Sequence, residues 1–226
     1  MSARRPVVAV VDYRLGNLFS VSQALLRADL DARITGDRRE LKAADAVVLP
    51  GVGAYPDAMA ALKSLDLIGA LRDFARSGRP LLGVCLGQQL LMSESEEFGA
   101  TRGLDIVPGQ VVRLDPGERA GGRRHKVPFV GWNAIRRAPG GGDWGASPLR
   151  GLADGAAVYF VHSFHTRPAA SAHALALTRY GAEDYCAALK AGNVYGVQFH
   201  PERSGPDGLQ IYREFAALVR ADKVPA

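Results

Sequence analysis

The sequence predicts an α/β fold: a doubly wound, mixed but mostly parallel sheet flanked by helices, with an additional antiparallel region. Three observations predict it. Apolar runs of strand length alternate with helix-periodic segments through the first part of the chain. One such run, bounded by Gly78 and Pro80, passes straight into a helix-like stretch through Cys85, with Gly83 and Gly87 on either side. After Glu97, glycines punctuate apolar stretches that lack a helical period until the last segment.

Val7–Val11 is a continuous apolar run, as expected of a strand covered on both faces. A loop, Asp12-Tyr13-Arg14-Leu15-Gly16-Asn17, leads to a helix over 18–28, where Leu18, Val21, Leu25 and Leu26 recur at helical spacing. A weak strand at 32–35, a short helix at 38–43 and a strand at 46–49, closed by Pro50, come next. Helices are expected at 57–64 and 67–76, then the strand and helix around Cys85. Beyond Glu97, strands are expected at 111–114, 127–135, 157–161, 174–178, 185–189 and 193–199. The polar segment 115–124 and Pro139-Gly140-Gly141-Gly142 read as loops. A helix over 208–220 closes the chain, with Leu209, Tyr212, Phe215, Ala216 and Val219 facing inward.

Composition limits the function classes. A chain of 226 residues with 47% hydrophobic residues can bury a sizeable core, and no repeat or linker divides it, so 1–226 reads as one domain. No apolar run is long enough to span a membrane. The formal charge of +5 gathers in Arg4-Arg5, Arg38-Arg39, Arg119 to Lys126 and Arg136-Arg137. No aromatic residues interleave these clusters, so they read as solvated faces and no nucleic-acid partner is expected. The N-terminus runs straight into Val7–Val11, an apolar run too short for a signal-peptide core followed by a cleavage site, and Cys85 and Cys186 read as reduced thiols, so the cytoplasm is the expected compartment. No Cys/His cluster has metal-ligand spacing, and neither metal nor cofactor is expected.

Gly83-Val84-Cys85-Leu86-Gly87 is a G-x-C-x-G stretch, the thiol counterpart of the nucleophile elbow. A thiol at a helix N-terminus meets the positive end of the dipole, which favours thiolate, and the first N–H groups of that helix are free to hold an oxyanion. A thiol nucleophile needs a base. Of five histidines, His200 sits where an apolar strand meets a polar loop, and Glu202 lies two residues on, stiffened by Pro201. Cys85, His200 and Glu202 thus supply nucleophile, base and orienter. The glycine pair of Gly51-Val52-Gly53, at another strand's end, puts bare backbone where open α/β sheets bind ligands.

With these stretches in hand, the chain resembles class I, triad-type glutamine amidotransferases, and among them the glutaminase subunits of imidazole glycerol phosphate synthase. The resemblance rests on Asp12-Tyr13 with Gly16-Asn17-Leu18, Leu49 to Ala54, Leu82 to Gly87 with Gln89-Leu90-Leu91, and Ser95-Glu96-Glu97. It continues through Lys126-Val127-Pro128 with Gly131-Trp132-Asn133, Tyr159 to Ser163, and Gly196 to Glu202 with Ser204-Gly205. It implies a type 1 glutamine amidotransferase domain in which Cys85 attacks the glutamine amide, His200 moves the proton and Glu202 orients His200. It implies oxyanion donors at Leu86 and in Gly51-Val52-Gly53, and a glutamine site formed by Gln89, Glu97, His162, Ser163 and Phe164. It also implies docking on a (β/α)8-barrel cyclase that receives the ammonia, with Asn17, Trp132 and Arg203 at or near the interface.

The chain departs from the family pattern at Arg14, where glycine is common, at Gln88 (a hydrophobic residue such as Met), at Phe129 (His), at Phe164 (Tyr) and at Arg203 (Lys). The Glu96-Glu97-Phe98-Gly99 stretch also suits a related glutaminase branch that feeds surface-sugar amidation. A non-catalytic regulatory subunit is the further alternative; it implies a decayed triad, whereas all three residues are present.

Overall fold

The computed structural model describes residues 4–118 and 122–222, so Arg119, at the head of one basic cluster, lies outside the described residues. The first half alternates strand and helix: β1 (Val7–Val11), α1 (Leu18–Arg27), β2 (Asp31–Thr35), α2 (Arg38–Ala43), β3 (Ala46–Gly51), α3 (Tyr55–Ser64), α4 (Leu67–Arg76), β4 (Leu81–Cys85) and α5 (Leu86–Leu90). The second half is strand-rich: β5 (Glu94–Ser95), β6 (Thr101–Arg102), β7 (Gly109–Arg113), β8 (Phe129–Ala134), β9 (Arg136–Arg137), β10 (Ala157–His162), β11 (Phe164–Pro168), β12 (Ala174–Tyr180), β13 (Glu183–Ala191) and β14 (Val194–Val197). The long helix α6 (Gly205–Ala221) closes it.

The main sheet has eight strands in the order β2-β1-β3-β4-β14-β13-β12-β9. Strands β2, β1, β3, β4 and β14 run parallel, and β13, β12 and β9 extend the sheet antiparallel. The period-2 alternation of a strand buried on both faces sorts the core into two layers. Val8 and Val10 of β1 pack with Val21 and Leu25 of α1 and with Ile211, Phe215 and Val219 of α6. Val7, Ala9 and Val11 pack on the opposite face with Leu41, Met59, Leu71 and Leu90 from α2, α3, α4 and α5. The central strands β4 and β14 therefore end between two covered layers; Cys85 is the last residue of β4, and His200 follows three residues after β14, which stops at Val197 and not at the expected residue 199.

The structure departs from the sequence expectation at several boundaries. Strand β3 does not stop at Pro50 but runs through it to Gly51. Its pairing with β1 ends at Val48, while Pro50 still pairs with Val84 of β4. The proline therefore sits where β3 has no partner on the β1 side, and its missing N–H costs no ladder bond. Residues 164–168, for which no strand was expected, form β11 against β7, because His165 and Thr166 turn inward and make buried hydrogen bonds. Helix α6 starts at Gly205, with Pro206 in its first turn, a proline position that favours helix initiation. Leu209 is only half-buried, and Ile211 takes the core position instead. No helix among the described residues is long and apolar enough to cross a membrane.

Candidate active site

Cys85 is the last residue of β4 and immediately precedes α5, in a left-handed backbone conformation with φ 54° and ψ −112°. A residue with a Cβ pays for that conformation, and such strain is found where the surrounding fold over-determines it. The neighbours show how. A Cβ on Gly87 would lie 1.7 Å from the Leu49 carbonyl oxygen, and one on Gly83 would lie 2.7 Å from the Gly87 carbonyl oxygen. The helix folds back so tightly on β3 and β4 that only glycine fits on either side of the thiol.

His200 is held from three directions. Its N–H donates to the Tyr159 carbonyl at 2.9 Å, and the Ser204 hydroxyl donates to its carbonyl at 2.7 Å. Its Nδ1 meets Glu202 Oε1 at 2.9 Å, which fixes the ring and turns Nε2 away from the carboxylate. Burial alone would lower the His200 pKa, but the hydrogen bonds its ring donates to Cys85 and Glu202, and the charges of both, outweigh it and push it up to about 10. The imidazole thus keeps its proton through the neutral range. If this pair is the working one, glutamine hydrolysis falls as pH rises through about 10, since the protonated ring is then lost. A pH–rate profile with its alkaline limb near the ordinary imidazole value would show that Cys85 and Glu202 do not hold the proton.

A second network fixes the thiol. Gln89 Nε2 donates to the Phe164 carbonyl at 2.8 Å and to Gln198 Oε1 at 3.0 Å. Gln198 must then present its own amide nitrogen to Cys85 Sγ, 3.8 Å away, while the Val161 carbonyl lies 3.8 Å from the sulfur. His162 is forced neutral: burial first, then His165 and His200, lower its pKa to about 3 against the opposing Phe164 bond. Its Nδ1–H donates to the Phe164 carbonyl at 3.0 Å, so Nε2 accepts from the Tyr185 hydroxyl at 2.9 Å. The Phe164 carbonyl thus takes two donors, and the turn over 162–164 is rigid.

These elements enclose a cavity of about 330 Å³. Cys85, Leu86, His200, Val52 and Gly53 line it, as do Gln89, Glu97, His162, Ser163, Phe164, Asn17 and Arg203. Glu202 stands behind His200, its side chain 1% exposed. Gly51 lies below the wall, in register with Cys85, and a Cβ there would meet the Tyr13 hydroxyl at 2.3 Å. Trp132 is not brought into the cavity. It sits on β8, 56% exposed, edge-on to Tyr159, whose ring also carries the Arg203 guanidinium at 4.9 Å. Glu97 also accepts the Tyr55 N–H at 2.8 Å, at the head of α3, and burial raises its pKa against that bond.

Sequence reasoning assigned no role to Gln198, Val161, Tyr185 or Tyr13, whose hydroxyl donates to the Pro50 carbonyl at 2.9 Å. Gln198 and Val161 stood within motif stretches, which was the available signal; Tyr185 gave none, since its contact with His162 crosses from β13 to β10. Several departures from the family pattern also find a local account. Arg14 takes φ 72°, the conformation for which glycine is suited. Phe164 contributes its carbonyl rather than a hydroxyl. Phe129 packs on Tyr180, with ring centroids 4.2 Å apart, and stands edge-on to His162. Gln88 donates to Thr166 Oγ1 at 2.8 Å across the core. Cys186 is buried on β13, and burial pushes its pKa up to about 12, so the second thiol is inert at neutral pH.

Comparison with known proteins adds an independent line. The family model described as glutamine amidotransferase class-I matches residues 9–218. The chain is 43% identical over 211 residues to imidazole glycerol phosphate synthase subunit HisH 1 of Legionella pneumophila (strain Paris), covering 93% of this chain and 99% of that one. It is 44% identical over 216 residues to imidazole glycerol phosphate synthase subunit HisH of Moorella thermoacetica, covering 96% of each. Among solved structures, a chain of PurLQS from Thermotoga maritima superposes with a TM-score of 0.69 at 17% identity, covering 94% of this chain and 98% of that one. That last likeness speaks to the fold alone.

Proposed function

The chain belongs to the class-I glutamine amidotransferase family, and from that premise we propose that it is the glutaminase subunit of an imidazole glycerol phosphate synthase, built as one amidotransferase domain. The observation that carries the chemistry is the placement of Cys85 and His200 on the cavity wall, with Glu202 behind His200. Similarity along nearly the whole length to subunits of that synthase supports the acceptor. The relatives reported above carry that name and not the name of a surface-sugar glutaminase.

In this reading L-glutamine lies in the cavity with its amide carbon against Cys85 Sγ. The sulfur attacks, and the carbonyl electrons move onto oxygen. The Leu86 N–H and an N–H of Gly51-Val52-Gly53 hold that oxyanion. Protonated His200 gives its proton to the amide nitrogen, the C–N bond breaks, and ammonia leaves a thioester on Cys85. Neutral His200 then takes a proton from water, the hydroxide adds, and the C–S bond breaks to release glutamate. Glu202 keeps the ring aligned in both half-reactions. Gln89 has spent both amide hydrogens within the protein, so only its Oε1 is left to accept from substrate. With Glu97 and the 162–164 turn, it holds the amino-acid end of glutamine.

The released ammonia passes to a (β/α)8-barrel cyclase seated over the cavity mouth. Uncovered apolar side chains at and beside the cavity support a docked partner: Val52 on the wall and Trp132 beside the ring that carries Arg203. The two unpaired cysteines suit a reducing compartment, and we place the complex in the cytoplasm. The test is glutamate release from L-glutamine by the purified chain, alone and with a histidine-pathway cyclase, with and without its nucleotide ligand. We expect slow release alone and release at least tenfold faster with the loaded cyclase. Equal rates in every mixture would assign the ammonia to another acceptor.

A further inference from the structure

Behind the triad, two buried polar atoms face one another. Glu202 uses Oε1 for His200, but its Oε2 is fully buried and has no hydrogen-bond partner, and the hydroxyl of Tyr212 is likewise buried and partnerless. Tyr212 lies two turns into α6, fully buried, and burial first, then the neighbouring Glu202 carboxylate, raise its pKa. The close approach is built into the helix. Gly208 sits under the turn that carries Glu202, and a Cβ there would lie 1.9 Å from the Pro201 carbonyl oxygen. The glycine lets α6 press onto that turn and brings the ring of Tyr212, four residues on and on the same helix face, beneath the carboxylate.

An acceptor without a donor beside a donor without an acceptor is a costly arrangement in a dry interior, and a small closure removes both costs at once. We infer that Tyr212 is a positioning residue of the triad: its hydroxyl donates to Glu202 Oε2 and holds the carboxylate so that Oε1 stays aimed at His200 Nδ1. The inference rests on the proposed triad chemistry and adds to it a fourth group, on a different element. Tyr212 does not line the cavity that Cys85 and His200 line. It acts through Glu202, so its loss slows turnover without weakening glutamine binding. A carboxylate left with one donor is free to rotate, and the imidazole it orients loses alignment in both half-reactions.

The experiment measures glutamate release by the full chain with its cyclase for wild type, Tyr212→Phe, Glu202→Gln and the double variant. Phenylalanine keeps the packing and removes only the hydroxyl. We expect kcat for Tyr212→Phe to fall about fivefold, with KM for glutamine unchanged, from the loss of one charge-assisted hydrogen bond acting at one remove. In the Glu202→Gln background the same substitution should have no further effect, because the group it acts through is already gone. Proton NMR supplies a second readout: the downfield His200 Nδ1–H signal should broaden or shift upfield in Tyr212→Phe. An unchanged kcat and signal would overturn the inference, as would an equal fall in rate with and without Glu202, which marks a packing role. Should Tyr212→Phe be too unstable to assay, Tyr212→Leu replaces it with the same two outcomes. A Cys85→Ala control separates the readings: if it keeps its rate, the triad itself fails, whereas an inactive control beside an unaltered Tyr212→Phe sinks only the role of Tyr212.

Discussion

Replacing Cys85 by alanine abolishes glutamine-dependent synthesis by the assembled enzyme and leaves synthesis from ammonium salts intact. The expected loss is about four orders of magnitude or more, because in the proposed mechanism the thiol is the attacking atom and no other thiol lines the cavity. The other thiol cannot stand in for it. Cys186 is buried on β13, outside the cavity lining, and is held as the neutral thiol by burial. Serine at position 85 fares little better, since its hydroxyl does not share the proton economy that the His200 pair is built for. Ammonia supplied from solution bypasses only the glutaminase, so the cyclase should keep its rate if the subunits still assemble. The check is paired assays of the same complex with glutamine and with ammonium chloride at alkaline pH. Loss of both activities in a complex that still elutes intact would contradict the division of labour between the subunits.

The sequence made the catalytic line legible and left its support obscure, and the difference is physical. Cys85, His200 and Glu202 were readable because each sits beside residues whose identity is forced: glycines that admit a folded-back helix, and a proline that stiffens a two-residue step. The parallel half of the sheet was readable for a similar reason, since Val7–Val11 and Leu81–Cys85 are apolar on both faces. The antiparallel region was less so. In β11 the inward residues are His165 and Thr166, polar side chains buried by pairing with Glu183 and Gln88, and no hydrophobic pattern announces them. The pattern placed Tyr212 inward but gave no sign that it lies by Glu202, and none that Tyr185 bonds His162. A buried hydrogen bond across elements depends on the register of the fold, and local sequence carries no trace of it. Pro50 shows the opposite error: a residue that ordinarily ends a strand is tolerated because the neighbouring strand has already stopped.

The glycine at position 87 offers the sharpest test of the elbow, because propensity and packing predict opposite signs. Gly87 lies within α5 and is not in the left-handed region, so alanine there should favour the helix by roughly 1 kcal/mol if only the backbone mattered. Its Cβ, however, would stand 1.7 Å from the Leu49 carbonyl oxygen, a backbone atom of a central strand that cannot rotate aside. The clash should win. We expect Gly87→Ala to destabilise the fold by about 3 kcal/mol, the upper end of the usual overpacking cost, because the clashing atom is backbone. Relieving it means lifting α5 away from β3, which carries the Leu86 N–H off the oxyanion position proposed for it. Loss of one such donor costs about 2.7–4 kcal/mol of barrier, so glutamine hydrolysis should fall by two to three orders of magnitude even in the folded fraction. Gly69→Ala is the matching control. Gly69 lies within α4 with nothing within 4 Å of its Cβ position, so the same substitution there should leave activity unchanged and stabilise by up to ~1 kcal/mol. Urea denaturation and glutamate release on both variants decide the matter. If Gly87→Ala were as stable and as active as Gly69→Ala, the tight fold-back of α5 on β3 could not be what holds Cys85 in its strained conformation.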